Sequence, residues 1–208
     1  MDNTFILNGY KLFLIILSFS LNSCSHAPTQ EKEERLSMAS CNFDGIKSGD
    51  IVLKRGKGPV SKMITDYFKE KVPISHCGVI ICAPDSIFVV HSVAGSYARK
   101  DGVQTILLKD MLNDCRPNYF YIVRKKTSNE ERENFASKAL SFSTQNIAFD
   151  NEADNKDKTK MSCTELIYWS QMESYGESDL TTIKAGDREI YVFNALLDTA
   201  KYEIIKHY

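Results

Sequence analysis

The chain has 208 residues, with 26 basic and 27 acidic side chains and a formal net charge of −1. It has no basic block of the kind that follows a phosphate backbone, which argues against a nucleic acid partner. No internal repeat is present, and the stretch from Phe43 to Tyr208 is long enough for one domain with its own core.

The N-terminal residues have the pattern of a lipoprotein signal. Lys11 precedes an apolar run at 12–21 that is too short to span a bilayer as a helix. The run ends in Leu21-Asn22-Ser23-Cys24, which resembles the bacterial lipobox; the alternative is an ordinary secretory signal with an incidental Cys. We expect residues 1–23 to be a signal peptide and Cys24 to carry a lipid. The protein would then be anchored to a membrane of the bacterial cell envelope without spanning it.

A polar, charge-dense segment follows Cys24. Residues 25–42 are too polar to bury a core, which favours a flexible tether over 24–44. We therefore predict one folded domain over 45–208, and we expect it to be a monomer.

The first half of this domain is predicted to consist mainly of strands. A turn at Gly49-Asp50 leads into a strand, and Pro59 begins a helix that runs to Lys71. Because the turn at Pro84-Asp85 is short, the strands on either side of it are predicted to form an antiparallel hairpin. The apolar runs that predict further strands are 76–82, 87–92, 103–107 and 119–123.

Two capping boxes mark helix starts in the second half. Ser128 with Glu131 predicts a helix that ends near Phe142, and Ser162 with Glu165 predicts one that ends near Met172. Between them, 145–160 is predicted to be a surface loop. After them, 190–199 is interpreted as helical and 202–206 as a closing strand. Helices combined with mostly antiparallel strands predict an α+β fold.

The most informative residues are Cys163 and His76. The second capping box places Cys163 at the first position of its helix, where the unpaired N–H groups and the helix dipole favour a thiolate. His76 begins an apolar strand, and an imidazole held there can accept the thiol proton. His91 lies on the neighbouring predicted strand and would orient His76, as the third residue of a catalytic triad does.

Other interpretations of these residues stay open. Each His could be a structural residue, and the Cys could serve only packing. Two His and a Cys can also bind zinc, but no short H-x-x-H or C-x-x-C pair is present, so we expect no metal and no cofactor. Asp150 and Glu165 are candidate cleft-lining residues, although Glu165 is also explained by its capping box.

The remaining cysteines are assigned structural roles. Cys77 and Cys82 lie on one predicted strand at an odd offset, so they face opposite sides and are interpreted as small buried hydrophobes. A disulfide between Cys41 and Cys115 is compatible with an oxidising periplasm, but the sequence does not decide it.

Three motifs resemble the circularly permuted branch of the NlpC/P60 superfamily of papain-like cysteine peptidases, the YiiX/YebB-like group related to lecithin:retinol acyltransferase. They are Gly49-Asp50-Ile51-Val52, Ser75-His76-Cys77-Gly78-Val79-Ile80 and Met161-Ser162-Cys163-Thr164-Glu165-Leu166-Ile167. His precedes Cys, which is the permuted order. The resemblance implies a papain-like α+β fold with a small antiparallel sheet or partial barrel packed against the helix of the catalytic Cys163. It also implies His76 and His91 as catalytic partners, whereas many bacterial relatives use Glu at the third position.

Three functions remain in consideration. The first is a lipoprotein cysteine hydrolase that cleaves an amide or peptide bond in peptidoglycan stem peptides. The second is an acyltransferase or acyl hydrolase acting on lipid. A wide apolar groove beside Cys163 would favour lipid, and a narrow polar cleft with anchors for a free amine would favour a muropeptide. The third, a non-catalytic envelope binding module, would be favoured if His76 were out of reach of Cys163.

Overall fold

The computed structural model describes residues 41–155 and 157–208 of the chain. The predictions for the signal peptide 1–23, for lipidated Cys24 and for the tether up to residue 40 therefore lie outside the described residues. Within these residues, no helix is both long and apolar enough to span a membrane.

The fold is α+β, as predicted. The strands are β1 (Ile51–Gly56), β2 (His76–Ala83), β3 (Ser86–Val93), β4 (Gly102–Leu107), β5 (Cys115–Lys125), β6 (Thr182–Ala185), β7 (Arg188–Tyr191) and β8 (Tyr202–His207). The helices are α1 (Pro59–Phe68), α2 (Leu108–Asn113), α3 (Asn129–Ser143) and α4 (Cys163–Tyr175).

Six of the strands form one antiparallel sheet in the order β4-β3-β2-β1-β5-β8. The predicted hairpin is confirmed, since β2 pairs with β3 and Val79 lies opposite Val90. β1 and β2 occupy the middle of the sheet, where strands are buried on both faces, and this explains their nearly continuous apolar sequences.

The two faces of the sheet pack against different partners. One face, which includes Cys77 and Val79, packs against α3 and α4 and contributes to the larger core. The opposite face, which includes Ile80 and Val89, packs against α2 and contributes to a smaller core. Side chains alternate between faces along a strand, so the adjacent His76 and Cys77 start on opposite sides of the sheet.

Both predicted capping boxes are present. In α3 the Ser128 hydroxyl accepts the N–H of Glu131, and the Glu131 carboxylate accepts the N–H of Ser128. Ser162 and Glu165 form the same reciprocal pair at the start of α4. Gly176 ends α4 in the left-handed conformation, with φ of 75°, that favours glycine at this position.

Several local predictions were wrong. Helix α2 and the two-stranded sheet of β6 and β7 were not predicted, and the helix expected over 190–199 is a 3-10 helix of four residues, Asn194–Leu197. Cys77 is fully buried as expected, but Cys82 is exposed because it lies at the end of β2 beside the turn, beyond the cover of the helices. Cys115 is buried and is not bonded to Cys41.

Candidate active site

Three elements bring the predicted residues together. His76 is the first residue of β2, His91 lies on β3, and Cys163 is the first residue of α4. Because α4 packs on β2 and β3, the N-terminus of α4 lies beside the first residue of β2, which is His76. All three side chains line one cleft.

The two imidazoles are hydrogen-bonded to each other. His76 Nε2 lies 2.9 Å from His91 Nδ1, and the rings meet edge to face at an interplanar angle of 83°. Gly78 makes this contact possible: a Cβ atom added there would lie 2.5 Å from Val89 Cγ1 and 3.2 Å from His91 Cβ. The H-x-G spacing of β2 therefore leaves room for His91 diagonally across from His76.

His91 is held in its neutral form. It is 6% exposed, and burial, together with the charges of His76 and Lys54, lowers its pKa to about 2. A neutral imidazole has one N–H donor and one acceptor nitrogen, so His91 can fix the orientation of His76 without taking its proton. With Nε2 of His76 engaged by His91, its Nδ1 is the ring nitrogen left for Cys163.

The surroundings of Cys163 favour the thiolate form of its side chain. Hydrogen bonds from Cys77 and His76, the charge of His76 and the backbone N–H of Cys77 together outweigh burial, and they hold the pKa of Cys163 well below its usual range. The helix N-terminus acts in the same direction. A Cys–imidazole pair of this kind can attack a carbonyl carbon.

Cys77 belongs to the candidate site, but the sequence did not single it out. Its Sγ lies 3.2 Å from the Cys163 carbonyl oxygen, and burial raises its own pKa well above the usual range. It therefore remains a neutral thiol, whose single S–H donates either to this carbonyl oxygen or to the Cys163 sulfur. The signal was its position beside His76, but the apolar strand favoured interpreting it as a packing residue.

Asp150 and Glu165 lie outside the cleft that contains Cys163. The Asp150 carboxylate accepts the backbone N–H groups of Glu152 and Asp154, which fixes a turn in the loop after α3. Glu165 is 1% exposed and accepts the N–H groups of Ser162 and Asn155, and burial raises its pKa to about 6. Both carboxylates thus support the backbone around the start of α4.

The cleft beside Cys163 is wide and mainly apolar. It has a volume of about 750 Å³ and runs between α1 and the loop after β3. Its apolar lining is formed by Val60, Met63, Ile64, Val93, Tyr97, Ile106, Met111 and Phe149. The sequence did not predict this cleft, because most of these residues come from segments that are separate in the chain.

Lys54 is a buried cation at the base of this cleft. It lies opposite His76 in the β1–β2 register, and its side chain is 9% exposed. Its Nζ donates to the carbonyl oxygens of Met111 and Asp114 and to the Asp114 carboxylate. A Lys within an apolar strand was the available signal for this residue.

The described residues do not offer a metal site at this position. No group of three or more His, Cys, Asp or Glu side chains in 41–155 and 157–208 is arranged to hold a metal ion. Nε2 of His76 and Nδ1 of His91 face one another in a hydrogen bond, so these two nitrogens do not converge on a shared ligand position.

No family model matches the chain, and no curated protein matches it either. Among solved structures, the fold is similar to the crystal structure of the metalloprotein YiiX from Escherichia coli O157:H7. The TM-score is 0.62 at 13% sequence identity, and the match covers 78% of this chain and 97% of YiiX. The chain therefore has a YiiX-like α+β fold, in agreement with the fold that the sequence motifs implied.

Proposed function

We propose that this protein is a cysteine-dependent acyl hydrolase or acyltransferase of the bacterial cell envelope that acts on lipid. The observation that carries the proposal is the position of the Cys163–His76 pair, within a wide apolar cleft. Pockets that bind apolar ligands are lined mainly by hydrophobic side chains, with a few polar groups placed at the reacting atoms. Most of the surface of this cleft is apolar, and the Cys163–His76 pair is among the polar groups that line it.

The reaction follows from the contacts of Cys163. Its thiolate attacks the acyl carbonyl carbon, a thioester bond forms, and the bond to the leaving alcohol or amine breaks. His76 delivers a proton to the leaving group, and His91 keeps the imidazole in position. Water or a second acceptor then takes the acyl group and restores the thiolate. The backbone N–H of Cys163, at the first position of α4, is suited to hold the oxyanion, whereas the N–H of Glu165 is already bonded to the Ser162 hydroxyl.

Cleavage of peptidoglycan stem peptides is the second candidate. The observation in its favour is Asp110, a carboxylate in the cleft lining that can hold a free amine. The expected envelope address would also place the protein beside this polymer. Most of the surface that lines the cleft is nevertheless apolar, which makes lipid the better fit.

The discriminating experiment offers both substrates to the same enzyme. Purified protein and its Cys163→Ala variant are incubated separately with lipid extract and with purified cell wall, and the products are measured by mass spectrometry. We expect Cys163-dependent loss or transfer of an acyl group in the lipid extract. Products from cell wall alone would replace the lipid proposal with the muropeptide one. Products from neither substrate, with no acyl adduct on Cys163, would favour a binding module.

The envelope address has its own test. We propose that the lipobox Cys24 carries the anchor. Cys24→Ala should leave the precursor uncleaved by the lipoprotein signal peptidase and should abolish metabolic labelling with palmitate. Labelling that persists in this variant would contradict the assignment.

A further inference from the structure

Exposed apolar side chains are concentrated at the mouth of the cleft. Within 41–155 and 157–208, the exposed large hydrophobic residues are Met63, Tyr67, Tyr97, Leu140 and Ile204. Met63, on α1, and Tyr97, in the loop after β3, both line the cleft and are 63% and 64% exposed. Tyr67 lies one helical turn beyond Met63 on α1, so it continues the same apolar stripe.

The two segments that carry these side chains are also positively charged. We define the cleft rim as residues 57–71, which contain α1, together with the loop 94–101. The rim has six basic and three acidic residues, although the whole chain has slightly more acidic than basic ones. Its positive charge is therefore local.

The acidic residues of the rim are all engaged within the protein. Asp66 pairs with Lys62, Glu70 accepts the N–H groups of Phe193 and Asn194, and Asp101 accepts those of Gly95 and Phe149. The five other cations of the rim make no ion pair within 41–155 and 157–208. They are Lys57, Lys69, Lys71, Arg99 and Lys100.

We propose that the cleft rim docks on the surface of an anionic lipid bilayer and thereby opens the cleft toward the lipid. Tyr side chains combine an apolar ring with a polar tip and are enriched at membrane interfaces. Unpaired Lys and Arg side chains add attraction to anionic headgroups. This inference deepens the proposed lipid-directed function and rests on it for the identity of the substrate.

Tryptophan substitutions can map which surface meets the bilayer. Tyr67→Trp and Tyr97→Trp report on the cleft rim, and Leu140→Trp on α3 and Ile204→Trp on β8 are matched controls at the two other exposed apolar sites. The mature full-length protein is combined with vesicles of phosphatidylcholine and phosphatidylglycerol that carry bromine on their acyl chains. Trp169, the one native tryptophan, is the same in all variants.

We expect bromine to quench the rim tryptophans and to leave the controls at the level of the unsubstituted protein. The combined Arg99→Glu and Lys100→Glu changes should abolish the quenching, whereas Lys184→Glu, at an exposed cation on β6, should not. Equal quenching at the rim and control sites would overturn the proposal, and so would equal quenching in pure phosphatidylcholine. A rim tryptophan protected from both bromolipid and aqueous iodide would mean that protein covers the rim, which also overturns it.

This test is independent of turnover. The same measurements in a Cys163→Ala background should give the same quenching pattern, because docking uses the rim and not the thiol. Loss of docking with intact turnover of a soluble short-chain ester would overturn the docking surface alone. Intact docking without any Cys163-dependent turnover would overturn the proposed function alone.

Discussion

Helices α3 and α4 begin with the same capping box in two different environments. The box of α3 is exposed, and hydrogen bonds from Thr127 and Ser128 lower the pKa of Glu131. The box of α4 is buried, and burial raises the pKa of Glu165 to about 6. The motif determines where each helix begins. What differs is the surroundings: the first residue of α4 lies beside His76 and Cys77 in a cleft, and the first residue of α3 does not.

The sharpest test compares the first residues of the two helices. Cys163→Ala should abolish turnover of an acyl ester, and His76→Ala should lower it by about 10²–10⁴-fold, because proton transfer is lost. Asn129→Ala, at the corresponding position of α3, should leave turnover unchanged. The measurement is kcat/KM for each purified variant. Turnover that survives Cys163→Ala would refute the nucleophile.

The carboxylates of the two boxes should differ in their contribution to stability. Glu165→Ala leaves the buried N–H group of Ser162 without an acceptor, at about 1–3 kcal/mol, and also removes the acceptor of the half-buried N–H group of Asn155. Glu131→Ala exposes its N–H partner to water, which can replace the lost bond, so we expect a smaller loss. Urea unfolding of both variants measures the difference. Equal losses in the free energy of unfolding would show that burial does not increase the contribution of the α4 capping box to stability.

A substitution of Cys77 tests how much this neighbouring thiol lowers the pKa of Cys163. Removal of the donating thiol in Cys77→Ala should raise the pKa of Cys163 and slow its alkylation by iodoacetamide at pH about 6 by about tenfold, whereas Cys77→Ser should retain part of the rate. The readout is the pH profile of alkylation followed by mass spectrometry. An unchanged profile in Cys77→Ala would assign the low pKa to His76 and the helix alone.

The smallest expected effect is a difference in the sign of pH dependence. Because the folded pKa of Glu165 is raised from 4.5 to about 6, its contribution to stability falls as the pH rises through that interval. The folded pKa of Glu131 is lowered, so its contribution is present above 4.5 and is lost as the pH falls below that value. Glu165→Gln should flatten the first dependence and Glu131→Gln the second. If stability depended on pH with the same sign for both residues, the raised pKa of Glu165 and the lowered pKa of Glu131 would be contradicted.

The parts of this molecule that were predicted correctly are those governed by local chemistry. Both capping boxes, the hairpin of β2 and β3, and the closing strand follow from short patterns, and the α+β class follows from their order. Asp150 and Cys82 show where such reasoning ends. Whether a carboxylate faces a cleft or a turn, and whether a strand end is covered, depends on segments distant in the chain.

Local sequence patterns also explain why part of the candidate site could be identified before the fold was known. His76, His91 and Cys163 stood out because each residue type has few other roles in its sequence context. Cys77 did not stand out in the sequence, because a buried strand gives no indication of whether a cysteine serves as an apolar packing residue or as a thiol donor. The apolar cleft did not either, since α1 and the loop 94–101 meet only in the folded structure.

The antiparallel order of the sheet has a consequence for how the thiol acquires its reactivity. The capping box that places Cys163 at a helix start spans three residues and can form locally, but the contact between Cys77 and Cys163 joins residues 86 positions apart. Such a contact requires a long loop to close, which costs more chain entropy than a contact between neighbouring residues. We expect Cys163 to be an ordinary thiol in the unfolded chain and to acquire its low pKa only when β2 and α4 have packed together.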